Sequence, residues 1–323
     1  MTQADSNITL ANRWDHFVAR WGYRRGDHRV EPGLYALGQP NQESPVLVTA
    51  NYTLSFDALR KSLDGRDSYI LVLDTKGVNV WCAAGKGTFS TEELVRQIQR
   101  TRLGETVSHR KLILPQLGAS GVAAHEVKRR TGFKVDYGPV RASDVLEYLD
   151  GGECTSEMRQ VNFGILDRLV VAPVELVSVM PWLLLAAIVL LGLSGWWGAT
   201  GVVIAVLAGV LLFPLLLPWI PPRDFSAKGF VLGALVILPL AILAYRAGDD
   251  LSDWIRIARS AAFLLGFPAV TAFLALNFTG ATPITSQTGV KREMNRYIPA
   301  MAALSGSGAL LLIASAIGKW VGG

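Results

Sequence analysis

Two spacings of apolar residues divide the chain. From Pro45 to Asp150, short apolar runs alternate with amphipathic stretches, and beyond Ala172 the apolar runs lengthen and lose their charges. In the first region Val46–Val48, Tyr69–Leu73, Lys111–Leu114 and Phe133–Tyr137 read as buried strands. Between them lie predicted helices: Thr53–Leu63, with Leu54, Ala58 and Leu59 on one face; Thr91–Leu103, with Ser90 as cap and Glu92 and Glu93 in its first turn; Gly121–Arg130; and Ser143–Leu149, stopped by Gly151-Gly152. Strands alternating with helices predict an α/β domain built on a parallel sheet with crossover helices.

The second region holds five apolar segments, about 176–193, 197–217, 229–245, 260–276 and 298–317. Each approaches the roughly 20 residues a bilayer requires. Trp182, Trp196, Trp197, Trp219 and Trp254 fall near their ends, as interfacial aromatics do. Pro181, Pro214, Pro239 and Pro268 lie in or near the spans, where membrane helices tolerate them. An all-α transmembrane domain of about five helices is therefore expected, in contact with membrane lipid. Arg223 and Lys228 in one loop, and Lys291, Arg292 and Arg296 in another, place those loops on the cytoplasmic side with the N-terminal domain and the C-terminus outside. The loop Arg246–Arg259 is the weak point of that topology, because Asp249, Asp250 and Asp253 offset its three arginines. The span interiors carry almost no ionisable residues, which favours an anchor over an ion or proton pathway.

At 323 residues the length fits about two domains. The net charge of +5 is accounted for by basic cytoplasmic loops. The basic and aromatic stretch Arg13–Arg29 (Trp14, His16, Phe17, Arg20, Trp21, Tyr23, Arg24, Arg25) is too short for a nucleic-acid surface, and it reads as a surface helix near a membrane or a partner. No basic, then apolar, leader opens the chain, so the polar domain is expected to stay in the reducing cytoplasm. Two distant cysteines do not make a disulfide framework.

The chemistry concentrates after the strands, where ligands of such sheets bind. Asn51, Tyr52 and Thr53 follow the first predicted strand, Gln116, Gly118, Ala119 and Gly121 the third, and Gly138 and Pro139 the fourth. Ordinary turns use the same residues, so these alone decide nothing. The segment after the second strand, Asn79-Val80-Trp81-Cys82-Ala83-Ala84-Gly85-Lys86, is more specific. With Asn79 as N-cap, Cys82 is the third helical residue, where free backbone N–H groups favour an anion. Lys86 lies one turn on, and Ala83, Ala84, Gly85 and Gly87 leave room for a large flat group. A soft anionic sulfur among small residues points to a metal cofactor. Phosphate loops fail on spacing: Val80 stands where a P-loop needs its first glycine, and Ala50–Phe56 has no glycine for a dinucleotide fingerprint. Cys154, in a presumed linker, reads as inert, and His16, His28, His109 and His125 show no metal-ligand spacing.

The octapeptide Asn79–Lys86 resembles the cap-helix motif of the mercury-methylating corrinoid proteins. More widely, Pro45–Asp150 is similar to the corrinoid-binding domain of the corrinoid iron-sulfur protein large subunit of the acetyl-CoA pathway, through Leu47–Tyr52 and Tyr137–Arg141. The resemblance implies a Rossmann-like parallel-sheet corrinoid-binding domain (45–152) after an N-terminal extension (1–44), then a linker (153–173) and the transmembrane domain (174–323). It implies that Cys82 thiolate is the lower axial ligand to cobalt, and that the corrinoid is contacted by Asn51–Thr53, Asn79–Gly87, Gln116, Gly118, Ala119, Gly121, Gly138 and Pro139. It further implies a methyltransferase that takes methyl from a methyltetrahydrofolate-linked donor and passes it from methyl-cobalt(III) to Hg(II). A partner ferredoxin with two [4Fe–4S] clusters would keep cobalt reduced, since the chain has no Cys-rich run for a cluster of its own. A methyl carrier of one-carbon metabolism, and a transporter with a cytoplasmic regulatory domain, are the alternatives.

Overall fold

The computed structural model describes residues 1–24, 26–248, 251–282 and 286–322. Arg25, Asp249 and Asp250, used above for charge, lie outside them. The chain divides into two compact units, Met1–Asn162 and Phe163–Gly323.

The first unit runs β1 (Thr2–Ala4), α1 (Leu10–Arg20), β2 (Gly33–Leu37), β3 (Val46–Ala50), α2 (Thr53–Ser62), β4 (Ser68–Leu73), α3 (Val80–Lys86), α4 (Thr91–Arg100), α5 (Leu103–Thr106), β5 (Lys111–Leu114), α6 (Ala124–Thr131), β6 (Lys134–Tyr137) and α7 (Val145–Gly151). The strands form one six-stranded sheet in the order β1-β2-β4-β3-β5-β6. β3, β4, β5 and β6 are mutually parallel, with Val46 opposite Tyr69, Leu47 opposite Ile113 and Lys111 opposite Lys134. This is the α/β unit with a parallel sheet that the alternation predicts.

Both faces of the sheet are covered, which is why its strands are continuously apolar. Val48, Leu71, Leu73, Leu112 and Leu114 pack under α3, α4 and α6 with Ala83, Leu94, Ile98 and Val127. Leu47, Ile70, Val72 and Ile113 point the other way, onto Phe56, Leu59 and Leu63 of α2 and Val145 and Tyr148 of α7. The alternation along β3 and β4 is the period-two rule at work.

Three features depart from the expectation. Residues 1–44, read as an extension, supply β1, α1 and β2, and β2 is antiparallel to β4, with Gly33 opposite Val72. The helix expected over Thr91–Leu103 is two helices, broken where Arg102 takes a positive φ of 50°. The helix expected from Gly121 begins at Ala124, and Gly121 belongs to the preceding turn.

The second unit is helical: α8 (Ile165–Leu169), α9 (Ala172–Ser194), α10 (Trp196–Leu207), α11 (Phe213–Leu216), α12 (Phe225–Arg246), α13 (Asp253–Asn277) and α14 (Gln287–Gly322). Among the described residues five stretches are long and apolar enough to cross a membrane: Ile165–Ser194, Trp196–Leu216, Phe225–Arg246, Asp253–Gly280 and Thr288–Val321. Each contains, or overlaps nearly all of, one expected span. Small residues let the helices approach closely: a Cβ on Gly229 would stand 2.5 Å from Cα of Ala272, and one on Gly233 2.7 Å from Cα of Pro268. Between α10 and α11 a π-helical turn, Ala208–Leu212, precedes Pro214. The buried Arg168 donates to the carbonyls of Pro214 and Leu215 at 3.1 and 2.9 Å, groups that the break leaves short of helical partners.

Candidate functional site

A cavity of about 350 Å³ opens where β3, β5 and β6 end. Its floor is Thr49, Leu114, Pro115 and Gly138, one wall is Leu54, Ser55 and Ala58 of α2, and Asn79, Val80 and Trp81 form its rim. Its position beyond the carboxyl ends of parallel strands is where such sheets bind ligands. Its lining is mostly apolar, as expected of a site that excludes water around a flat organic group.

α3 begins on that rim. The side-chain oxygen of Asn79 accepts the backbone N–H of Cys82 at 2.9 Å, so the expected N-cap is present. Gly87 closes the helix in the left-handed conformation at φ 78°. Val80, Ala83 and Ala84 turn into the core, while Trp81, Gly85 and Lys86 are exposed and the free thiol of Cys82 is half-buried. Cys82, Gly85 and Lys86 thus share the outward face, and a Cβ placed on Gly85 would meet nothing within 4 Å.

The loop before α3 is held by Asn51. Asn51 is buried, and its side-chain oxygen accepts from the backbone N–H of Thr75 at 3.0 Å, the Thr75 hydroxyl at 2.9 Å and the N–H of Gly77 at 3.0 Å. That single amide ties the end of β3 to the segment that delivers Cys82. Nearby, burial pushes the Asp74 carboxyl up, but the Lys76 ammonium, 2.6 Å away, and the Lys76 N–H outweigh it and hold the group below its ordinary value.

The expected contact residues separate into groups. Asn79, Val80, Trp81, Gly138 and Pro139 line the cavity, whereas Cys82, Gly85 and Lys86 lie farther along α3, on its outward face, and are not among the lining residues. Asn51, Tyr52 and Thr53 are instead knitted to the segment before β2: Val30 donates to the Asn51 carbonyl at 2.9 Å, Thr53 donates to the His28 carbonyl at 3.1 Å, and Tyr52 bridges Arg29. The smallness of Ala84, Gly118 and Gly121 serves packing. A Cβ on Gly118 would lie 2.5 Å from the Phe89 ring, and one on Gly121 2.1 Å from the Phe89 carbonyl oxygen and 3.2 Å from Cβ of Ala84. Ala83 is fully buried in the core. Gln116 accepts from Arg159 at 2.9 Å, and Ala119 sits half-buried in the same turn. Cys154 packs at the edge of the cluster formed with α2 and α7. The α2 wall was missed; its signal is that the helix following β3 must start at the ligand edge, so its first turn faces the cavity.

Residues 24–149 match the family model described as CO dehydrogenase/acetyl-CoA synthase delta subunit. The matched segment takes in β2 through most of α7 and stops before the helical unit. The chain is 35% identical over 128 residues to the acetyl-CoA decarbonylase/synthase complex subunit gamma of Methanopyrus kandleri, 39% of this chain and 27% of that protein. It is 31% identical over 122 residues to the corrinoid/iron-sulfur protein large subunit of Moorella thermoacetica, 37% of this chain and 27% of that one. The chain thus spans about a quarter of the length of these curated relatives.

A corrinoid fits the residues present. Among the described residues no cluster of three His, Cys, Asp or Glu could hold a metal ion. Cys82 is the one thiol that α3 offers to a ring-held metal. The open face at Gly85 leaves room for a large ring, and the apolar cavity starts at the other end of the same helix, at Asn79–Trp81.

Proposed function

We propose that the α/β unit binds a corrinoid and carries a methyl group on it in one-carbon chemistry, with the Cys82 sulfur as the protein ligand to cobalt. The observation that carries this reading is the placement of Cys82: half-buried, unbridged, on a capped helix at the rim of a cavity beyond the strand ends. Similarity to the corrinoid/iron-sulfur protein large subunit supports the corrinoid part of the reading.

When bound, the corrinoid supplies a cobalt centre that accepts and releases methyl. The chain's own residues do the rest. Asn79 fixes the first turn of α3, Asn51 fixes the loop that presents it, and Trp81 with the cavity wall keeps water from the ring. A thiolate is a soft, strongly donating ligand, suited to a soft metal and to release of methyl towards an electrophile.

The comparisons favour acetyl-CoA-type one-carbon metabolism as the setting, with the chain as a methyl carrier. The Asn79–Lys86 octapeptide favours Hg(II) as the methyl acceptor, and the helical unit lies outside the matched segment. The proposed partners are a methyltetrahydrofolate-linked donor and a ferredoxin with two [4Fe–4S] clusters. A [4Fe–4S] cluster takes four cysteines and these 323 residues hold two. The five apolar helices would cross the cell membrane, with the α/β unit on the cytoplasmic side.

The test compares Cys82→Ala with Cys154→Ala in corrinoid-loaded protein, reading the cobalt absorption spectrum and methyl transfer to Hg(II) with the partner ferredoxin. Cys82→Ala should change the spectrum and abolish transfer, and Cys154→Ala should change neither. A wild-type spectrum in Cys82→Ala removes the ligand assignment. Methyl carriage without transfer to Hg(II) in the wild type selects the carrier reading.

A further inference from the structure

α1 turns its hydrophobic stripe away from the unit it belongs to. Leu10, Trp14, Phe17 and Trp21 recur at helical spacing and are 82, 67, 51 and 39% exposed. Trp14 stacks on Phe17 with ring centroids 5.5 Å apart, and Phe17 meets Trp21 at 5.9 Å, so the three rings form one continuous strip, with Leu10 one turn before Trp14. The opposite face docks through polar groups: His16 Nε2 lies 2.7 Å from Asp57 Oδ2, Asp15 Oδ1 lies 2.7 Å from His28 Nδ1, and Ala19 is buried between them. A surface helix of a soluble domain normally does the reverse and buries its apolar stripe.

Charge identifies the occupant. Arg13 and Arg20 stand exposed along one border of the strip, whereas Asp15, the helix's one acidic residue, faces inward. An apolar, Trp- and Phe-rich face bordered by arginines is the composition of helices that lie in a membrane interface and attract anionic lipid. The same chain carries five helices of bilayer length.

We propose that α1 is an in-plane interfacial helix: Leu10, Trp14, Phe17 and Trp21 enter the headgroup–acyl boundary of an anionic phospholipid bilayer, and Arg13 and Arg20 pair with its phosphates. This rests on the reading that the five apolar helices cross that bilayer. It assigns the N-terminal segment a second, reversible hold on the membrane, additional to the spans.

The full chain is reconstituted in nanodiscs of phosphatidylcholine, with and without phosphatidylglycerol, each doped with a photoreactive phospholipid, and labelled peptides are mapped. The peptide covering Leu10–Trp21 should be labelled above the exposed helix α6, more so with phosphatidylglycerol. Labelling there should fall by roughly tenfold in Trp14→Gln/Phe17→Gln, as expected when two anchoring side chains of an amphipathic face are lost. Arg13→Gln/Arg20→Gln should remove only the dependence on phosphatidylglycerol. Labelled spans with α1 at the α6 level overturn the proposal while leaving the spanning reading intact. Labelling absent from both overturns both.

Discussion

The side-chain oxygen of Asn79 lies 2.9 Å from the backbone nitrogen of Cys82, so the residue that starts α3 also sets where its sulfur stands. Among the described residues α3 is only seven residues long, too short to be stable alone, and its geometry depends on its cap and on the core contacts of Val80, Ala83 and Ala84.

Asn79→Ala should therefore cost about 1 kcal/mol of stability, the usual loss of a side-chain cap. Asn79→Asp should retain most of it, because a carboxylate also caps. If α3 positions the cobalt ligand, Asn79→Ala also changes the corrinoid absorption spectrum, and Asn79→Asp restores it. Denaturant melts and spectra of the two variants check this, and equal stability of Asn79→Ala and wild type would remove the cap from the argument.

Asn51 makes the stronger case, since it is buried and one oxygen serves three donors. Asn51→Leu removes that acceptor and strands the N–H groups of Thr75 and Gly77, each worth about 1–3 kcal/mol when left unsatisfied. Hydrogen exchange should show faster opening at 74–80 before the rest of the sheet loosens. Uniform loosening of the whole sheet would mean that Asn51 holds the fold generally and does not single out the Cys82 loop.

The sheet was legible where burial on both faces makes strands continuously apolar, as in Val46–Ala50 and Ser68–Leu73. It was not legible at Gly33–Leu37, whose Gly-Leu-Tyr-Ala-Leu is short and whose role as a strand comes from pairing with β4. The cap at Asn79 could be read because it is a local interaction over three residues. The bond from Asn51 to Gly77 spans 26 residues, and Phe89 and Gly121 are separated by α4, α5 and β5, so neither contact leaves a local pattern. Composition told that these glycines and amides were special, but not whether they served a ligand or the packing.

Gly121 offers a test of the packing reading. A Cβ there would stand 2.1 Å from the Phe89 carbonyl oxygen, a backbone atom that cannot swing aside. Gly121→Ala should destabilise the α/β unit by roughly 1–3 kcal/mol, the range for overpacking. Gly85→Ala, where a Cβ meets nothing within 4 Å, should leave stability within about 0.5 kcal/mol. If the ring lies over α3, Gly85→Ala instead weakens corrinoid retention. Thermal melts of the two variants, followed by corrinoid titration, separate the two roles; a stable Gly121→Ala would sink the packing account.

His28 makes the attachment of α1 depend on pH. Its ring is buried, with Nδ1 2.7 Å from Asp15 Oδ1 and Nε2 2.7 Å from the Tyr23 carbonyl oxygen. Both partners accept, so a ring that satisfies both carries two N–H donors and a positive charge. Burial opposes that charge, but the Tyr23 carbonyl and the Asp15 carboxylate outweigh it and raise the pKa above the ordinary 6.5. A pKa raised on folding stabilises fully below the unfolded value and loses its contribution as pH rises through the folded one. Protection of α1 amides, corrected for intrinsic exchange, should thus hold steady below about pH 6.5 and decline above it. Asp15→Asn removes the carboxylate, lowers the folded pKa and flattens the decline. The same profile in wild type and Asp15→Asn, or protection that rises with pH, would show that the imidazolium does not hold this helix in place.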